Sequence, residues 1–288
     1  MTRFLYIADT HLGAEGEGYQ QQHRYPQRLE EIFDALRSLV SQLQGIDFVL
    51  HGGDMVDATT EQNISAAAEA FDCGVPLYLC LGNHDLTRPD AVQRWMALAP
   101  RFFPDAHPEY TIVTDDCVIH VAPNHWGEEP YYWKSEQHAR LSDEQRARLD
   151  ESLSASPDLP HVLLTHSPVH GLPVEQTGFA EPHHAPPPSF ASSVADLAAR
   201  HGNLRCVIGA HTHMNMCVER EGVRYVTVSS LVETPFELKV FEVRPDEMSM
   251  STVSLGSHAG LVGKYDEARA FVQGRPEDRA FVMTLRRG

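Results

Sequence analysis

The chain has 288 residues, 42% of them hydrophobic and 22% charged, with a net charge of −17 at pH 7. This composition supports a sizeable packed core and excludes a disordered chain. The acidic balance disfavours duplex nucleic acid and anionic membranes as partners, since both reward Lys and Arg. No apolar run reaches the length of a membrane span, and the opening MTRFLYIADTH has no signal-peptide architecture. The five cysteines are odd in number and lack a C-x-x-C pair. They read as reduced, buried thiols of a cytoplasmic protein rather than a structural zinc cluster.

In chain order, the first element is a strand at 3–8 (RFLYIA), apolar enough to be buried on both faces. A helix is expected over 26–45, where Leu29, Ile32, Phe33, Leu36, Leu39, Val40 and Leu43 fall on one face, opened by Pro26 and closed by Gly45. Next come a strand at 47–51, a helix at 60–71, a strand at 76–81 and a helix at 88–99. Strands at 117–122, 161–166 and 205–210 are separated by helices at 142–154 and 189–202, and Ser142 with Gln145 has capping-box spacing. The runs at 223–230 and 236–243 alternate and read as antiparallel, with 247–255 pairing to them. Alternating strand and helix predicts an α/β fold, and the strand-rich end a second sheet or an antiparallel extension. With no repeat and no linker, residues 1–288 read as a single domain. Segments 123–141 and 167–189 read as long loops over a site. The tail, 256–288, holds a short helix and a final strand and has no assigned role.

The chemistry-bearing residues gather where the buried strands end. Asp9 and His11 follow the first strand, Asp54 and Asp57 the second, and Asn83, His84 and Asp85 the third. His166 ends the run HVLLTH, and His211 and His213 follow RCVIGA. Carboxyl ends of strands are where sites form in open α/β sheets. The set Asp9, His11, Asp54, Asn83, His166, His211 and His213 mixes oxygen and nitrogen donors without a thiolate. It is too large for one catalytic zinc and suits two cations that share a bridging carboxylate. D-x-H and H-x-H, on extended backbone, place both side chains on one side.

These motifs, DTH at 9–11, GD at 53–54, GNHD at 82–85, His166 and GAHTH at 209–213, resemble those of the calcineurin-like metallophosphoesterase family. One residue departs from the pattern: Ala210 stands where glycine is usual, adding a methyl group and leaving both imidazoles. The resemblance implies a four-layer α-β-β-α sandwich of two mixed sheets flanked by helices, with the metal site at the C-terminal ends of the strands. It implies Asp9, His11 and His213 on a first metal, Asn83, His166 and His211 on a second, and Asp54 bridging. The metals implied are two divalent or trivalent ions, with manganese, iron and zinc foremost. His84 would protonate the leaving oxygen after in-line attack by a bridging hydroxide, with Asp57 as its carboxylate partner and Asp85 as the alternative.

The family hydrolyses many phosphoesters on the same metals, so the fold alone does not fix the substrate. GDMVDAT and GNHD depart from the Ser/Thr protein phosphatase signatures. ADTHLG and DFVLHGGDMVD look like the Mre11/SbcD nucleases, whereas CVIGAHTHMNMCVEREGVRYVTVSSLVETPFELKVFEV looks like the class III cyclic-nucleotide phosphodiesterases. The favoured reading is a phosphodiesterase on small nucleotide-like diesters. A nuclease or phosphomonoesterase stands second, and a non-catalytic metal-binding scaffold is the alternative of another class. Of the remaining histidines, His51 and His120 read as supporting or core residues, and the loop histidines His125, His170, His183 and His184 as solvated side chains, with a substrate contact from His125 or His170 as the alternative.

Overall fold

The computed structural model describes residues 1–14 and 19–285, so the last three residues of the predicted tail lie outside the described residues. From the N-terminus come β1 (Thr2–Ile7), a 3-10 turn at Pro26–Arg28 and α1 (Leu29–Leu43), then β2 (Phe48–His51), α2 (Glu61–Ala70), β3 (Leu77–Leu79) and α3 (Ala91–Leu98). The chain continues through β4 (Tyr110–Val113), β5 (Val118–Val121), α4 (Asp143–Ala155), β6 (His161–Leu164), the one-turn α5 (Val174–Thr177), α6 (Pro188–Arg200) and β7 (Leu204–Gly209). It ends in β8 (Met216–Arg220), β9 (Val223–Thr227), β10 (Glu237–Val243), β11 (Glu247–Ser254), the short α7 (Leu255–Ala259) and β12 (Ala280–Thr284).

Two six-stranded mixed sheets result, in the orders β12-β11-β10-β1-β2-β3 and β4-β5-β6-β7-β9-β8. In the first, β1, β2 and β3 are parallel and β10 to β12 extend the sheet antiparallel. In the second, β5, β6, β7 and β9 are parallel between two antiparallel edges, β4 and β8. The sheets share one apolar core, and helices flank them. The Tyr6 hydroxyl on β1 donates to the Gly209 carbonyl at the end of β7 at 2.7 Å, which ties the two sheets together where the site forms.

Sequence periodicity located the helices because their apolar faces are the buried faces. In α1 the buried residues are Ile32, Phe33, Ala35, Leu36, Leu39 and Val40. The capping box of α4 forms in both directions, and the Gln145 amide also donates to the Pro123 carbonyl at 2.8 Å. The start of the 123–141 loop is thereby anchored to the helix.

Two expectations need correction. The 223–230 run is not simply antiparallel: β9 runs parallel to β7 and antiparallel to β8, and it lies in a different sheet from β10 and β11. Alternation reports a partly exposed face and carries no information about a partner's direction. Strand β4 was also not foreseen. It is a four-residue edge with Thr111 and Val113 exposed, too short for a clear period. The tail acquires a structural role, since β12 forms the outer edge of the first sheet. All five cysteines are free and buried, and among the described residues no helix is long and apolar enough to cross a membrane.

Candidate metal centre

The seven candidate ligands sit just beyond strand ends, on backbone that is mostly left-handed. Asp9, His11, Asp54, His211 and His213 have φ of 54°, 43°, 52°, 67° and 57°. This corrects the extended reading of D-x-H and H-x-H: tight turns, not strand alternation, bring each pair to one side. Left-handed non-glycine residues are strained, by roughly 1–3 kcal/mol each, and such strain clusters at functional sites. Hydrogen bonds hold the turns in register, with Asp9 N–H donating to the Gly53 carbonyl and His11 N–H to the Asp54 carbonyl, both at 3.0 Å.

Glycine is required between these turns by close approach. At Gly53 (φ +108°) a Cβ would lie 2.5 Å from His166 Nδ1, and at Gly82 it would run into the Asp54 carboxylate and backbone nitrogen.

Six of the seven donors converge as two groups, and His11 also belongs to a third with Asp57 and His84. Asp9, His11 and His213 form one and Asp54, His166 and His211 the other, and within each group the ligand atoms lie within 4.8 Å of one another. Asp54 Oδ2 lies between the groups, 3.3 Å from His166 Nε2 and 3.9 Å from His11 Nε2. His11 Nε2 and His213 Nε2 are 3.2 Å apart. Asp9 Oδ2 and Asn83 Oδ1 are buried without a hydrogen-bond partner. Buried oxygens without donors and facing imidazole nitrogens are costly unless something positive binds between them. The residues therefore fit a pair of cations. Burial alone would lower the His166 pKa, but the charge of Asp54 outweighs it and raises it to about 9.

Two of the imidazoles are oriented by their other nitrogen. His166 Nδ1 lies 2.8 Å from the Gly52 carbonyl, and His213 Nδ1 lies 2.6 Å from Glu233 Oε1. His51 is fully buried and touches the Thr10 hydroxyl and Gly53 N–H, which places it under the turns as support. Glu233 was missed in the sequence. Its one signal is an acidic residue inside the hydroxyl-rich and apolar run VSSLVETPF.

His84 Nδ1 donates to the backbone carbonyl of Asp57 at 2.8 Å, and among the described residues Nε2 has no hydrogen-bond partner. The Asp57 carboxylate is 3.7 Å from the same nitrogen and 3.4 Å from His11 Nδ1. Asp85, the alternative partner, is excluded from that role. Its carboxylate accepts the N–H groups of Gly82, Val56 and Met55 at 2.9, 3.0 and 3.3 Å and so holds the turn.

A cavity of about 370 Å³ opens over the donors, lined by His11, Asp54, Asp57, Asn83, His84, His211 and His213. Its upper walls come from the loops: Tyr19 and Arg24 on one segment, Trp133 and Gln137 from 123–141, and His184 from 167–189. The alternative of a substrate contact from His125 or His170 finds no support, since neither lines this cavity. His125 packs edge-on to Tyr131 and His170 edge-on to Tyr225. His120 pairs with His161 at 2.8 Å, away from the cavity, as a structural residue. Trp126, from the same loop as His125 and buried, packs its ring against His211 and His166.

The sequence profile of the calcineurin-like phosphoesterase family matches residues 2–215, and the chain belongs to that family. Among curated proteins, the double-strand-break repair protein Mre11 of Haloferax volcanii is 34% identical over 119 residues, which are 37% of this chain and only 25% of that protein. The 3',5'-cyclic adenosine monophosphate phosphodiesterase CpdA of Vibrio vulnificus is 24% identical over 272 residues, covering 88% of this chain and 83% of the relative. Among solved structures, a dimetal phosphatase from Danio rerio superposes with a TM-score of 0.65 at 19% identity, covering 88% of this chain and 96% of the other. A purple acid phosphatase from yellow lupin superposes with a TM-score of 0.62 at 15% identity, covering 98% and 53%. These likenesses define the fold of a metallophosphoesterase.

Proposed function

We propose that this chain is a cytoplasmic, binuclear metal-dependent phosphodiesterase acting on small nucleotide-like diesters. The observation that carries the reading is the pair of donor groups flanking Asp54 Oδ2, with His84 on the wall of the same cavity. Asp9, His11 and His213 would hold one cation, Asn83, His166 and His211 the other, and Asp54 both. Manganese, iron and zinc suit this oxygen and imidazole set. Two cations held there would lower the pKa of a water at the site and would neutralise charge on the phosphoryl oxygens.

The chain's own residues supply the rest. The Asp57 carbonyl fixes the His84 ring through Nδ1, so Nε2 is the atom that would deliver a proton to the leaving oxygen. Gly53 and Gly82 let the two turns approach closely, which brings Asp54 to the position from which it would serve both metals. Three loop segments wall the cavity of about 370 Å³ above the donors, which would admit a small diester. Likeness to the cyclic-nucleotide phosphodiesterase over 88% of the chain supports a diester.

The test is hydrolysis by protein stripped of metal and reloaded with manganese. Bis-p-nitrophenyl phosphate should be cleaved faster than p-nitrophenyl phosphate, and the reverse order would make the protein a phosphatase. A nuclease is the second reading, favoured by the 34% match to Mre11 and opposed by the charge of −17. Single-stranded DNA as an additional substrate distinguishes it.

A further inference from the structure

The 123–141 loop brings an aromatic side chain to the His84 wall of the cavity. The Trp133 ring centroid lies 5.1 Å from that of His84, with the planes 35° apart. Both ends of the residue are tied down: its backbone N–H donates to the Leu86 carbonyl at 2.8 Å, and its indole Nε1 donates to the Glu136 carbonyl at 2.8 Å. The ring is half-buried and lines the cavity beside His84, Asp57 and Gln137. With Nε1 already engaged, the indole offers a ligand its face and no donor. A face without a donor selects flatness and not a hydrogen-bond pattern.

We propose that Trp133 is the platform for the leaving group, so that the site prefers phosphoesters whose leaving alcohol carries a flat ring, a nucleoside or an aryl group, with little choice among bases. The proposal rests on the reading above in one respect, that His84 faces the leaving oxygen. From there the geometry does the rest. A leaving oxygen within reach of His84 carries its substituent along the same wall, and Trp133 is the aromatic surface on that wall. An aliphatic leaving group would meet the indole without a stacking partner to offer.

The test compares Trp133→Leu and Trp133→Phe with the parent protein, each reloaded with manganese and checked for metal content. The substrates are bis-p-nitrophenyl phosphate, with a flat leaving group, and a glycerophosphodiester, with an aliphatic one. Trp133→Leu should raise KM for the aryl diester by about tenfold, in line with base–aromatic stacking, while kcat and the glycerophosphodiester KM stay within about twofold. Trp133→Phe should recover most of the loss, because a phenyl face still stacks. Equal changes on both substrates, or none on the aryl diester, would overturn the platform role. A separate arm uses adenosine as a probe without turnover: it should quench tryptophan emission in the parent and not in Trp133→Leu. If the parent cleaves no diester, the phosphodiesterase reading fails by itself and this quenching decides Trp133 alone. Quenching that survives the substitution would then overturn the platform.

Discussion

Glu233 Oε1 lies 2.6 Å from His213 Nδ1, and the other oxygen of the same carboxylate accepts the backbone N–H groups of Gln21 and Gln22 at 2.9 and 2.7 Å. One buried carboxylate thus orients a proposed ligand and pins the segment that carries Tyr19 and Arg24 to the cavity rim. Carboxylates in this position fix the imidazole tautomer and raise its basicity, and losing one costs about 10–100-fold in metal affinity. Glu233→Ala should weaken the site of Asp9, His11 and His213 by that factor and spare the other. Metal titration would show one tight and one weak site per chain. Two sites of parental affinity would remove Glu233 from the metal centre.

His84→Ala should keep both metals and lower kcat by about 10²–10⁴-fold, the usual range for a positioned proton donor. Loss of metal would instead make His84 a ligand. Asp57→Asn should behave differently from what its spacing implies. The group that holds His84 is the Asp57 carbonyl, which the substitution leaves in place. The carboxylate lies closer to His11, whose contact holds the Asp57 carboxyl below the ordinary range. Asp57→Asn should therefore lower metal affinity more than it moves the pH–rate profile. A displaced profile at unchanged affinity would place the carboxylate's effect on His84.

Asp54→Ala should abolish tight binding of both cations, because Oδ2 is shared between the two donor groups. His166→Ala removes a donor from one group and should leave the other measurable. Elemental analysis after gel filtration distinguishes the two patterns. An Asp54→Ala protein that retains a full pair would exclude the bridging role. In the parent, chelation should lower Tm, since ligands that bind the folded state stabilise it by mass action.

The donors were legible in the sequence for a physical reason. Parallel strands deliver their carboxyl ends to one edge, so a D-x-H, a GD, a GNHD and an H-x-H after successive buried runs must meet. What stayed hidden depends on contacts far apart in sequence. Glu233 reaches back to His213 from twenty residues further on, and Trp133 and His184 are brought in by loops whose paths no local pattern sets. His125 and His170 have the right chemistry in the right loops, yet both rings pack against tyrosines. Residue type was informative at strand ends, where backbone direction is fixed, and uninformative in loops. The parallel insertion of β9 between β7 and β8 was invisible for the same reason, because strand partners are chosen by long-range hydrogen bonding.

The first sheet also contains a buried charge whose titration is open to test. Lys239, on β10, is fully buried, and its ammonium donates to the Thr252 hydroxyl at 2.8 Å. Burial pushes its pKa down from 10.5 to about 8, against the opposing pull of Glu237. Below pH 8 the lysine is charged in both folded and unfolded chains, and the full cost of burying the ammonium is present. Between about pH 8 and 10.5 the unfolded chain binds more protons than the folded one, so this contribution makes stability rise with pH. The gap amounts to roughly 3 kcal/mol. Lys239→Met removes the titrating group and keeps the volume. Urea unfolding of both proteins at pH 7.5 and pH 10 should show the parent gaining on the variant as pH rises, by up to about 2–3 kcal/mol. A parent-minus-variant difference that stays constant across this window would mean that Lys239 keeps an ordinary pKa, with Glu237 and Thr252 stabilising the ammonium as well as water does.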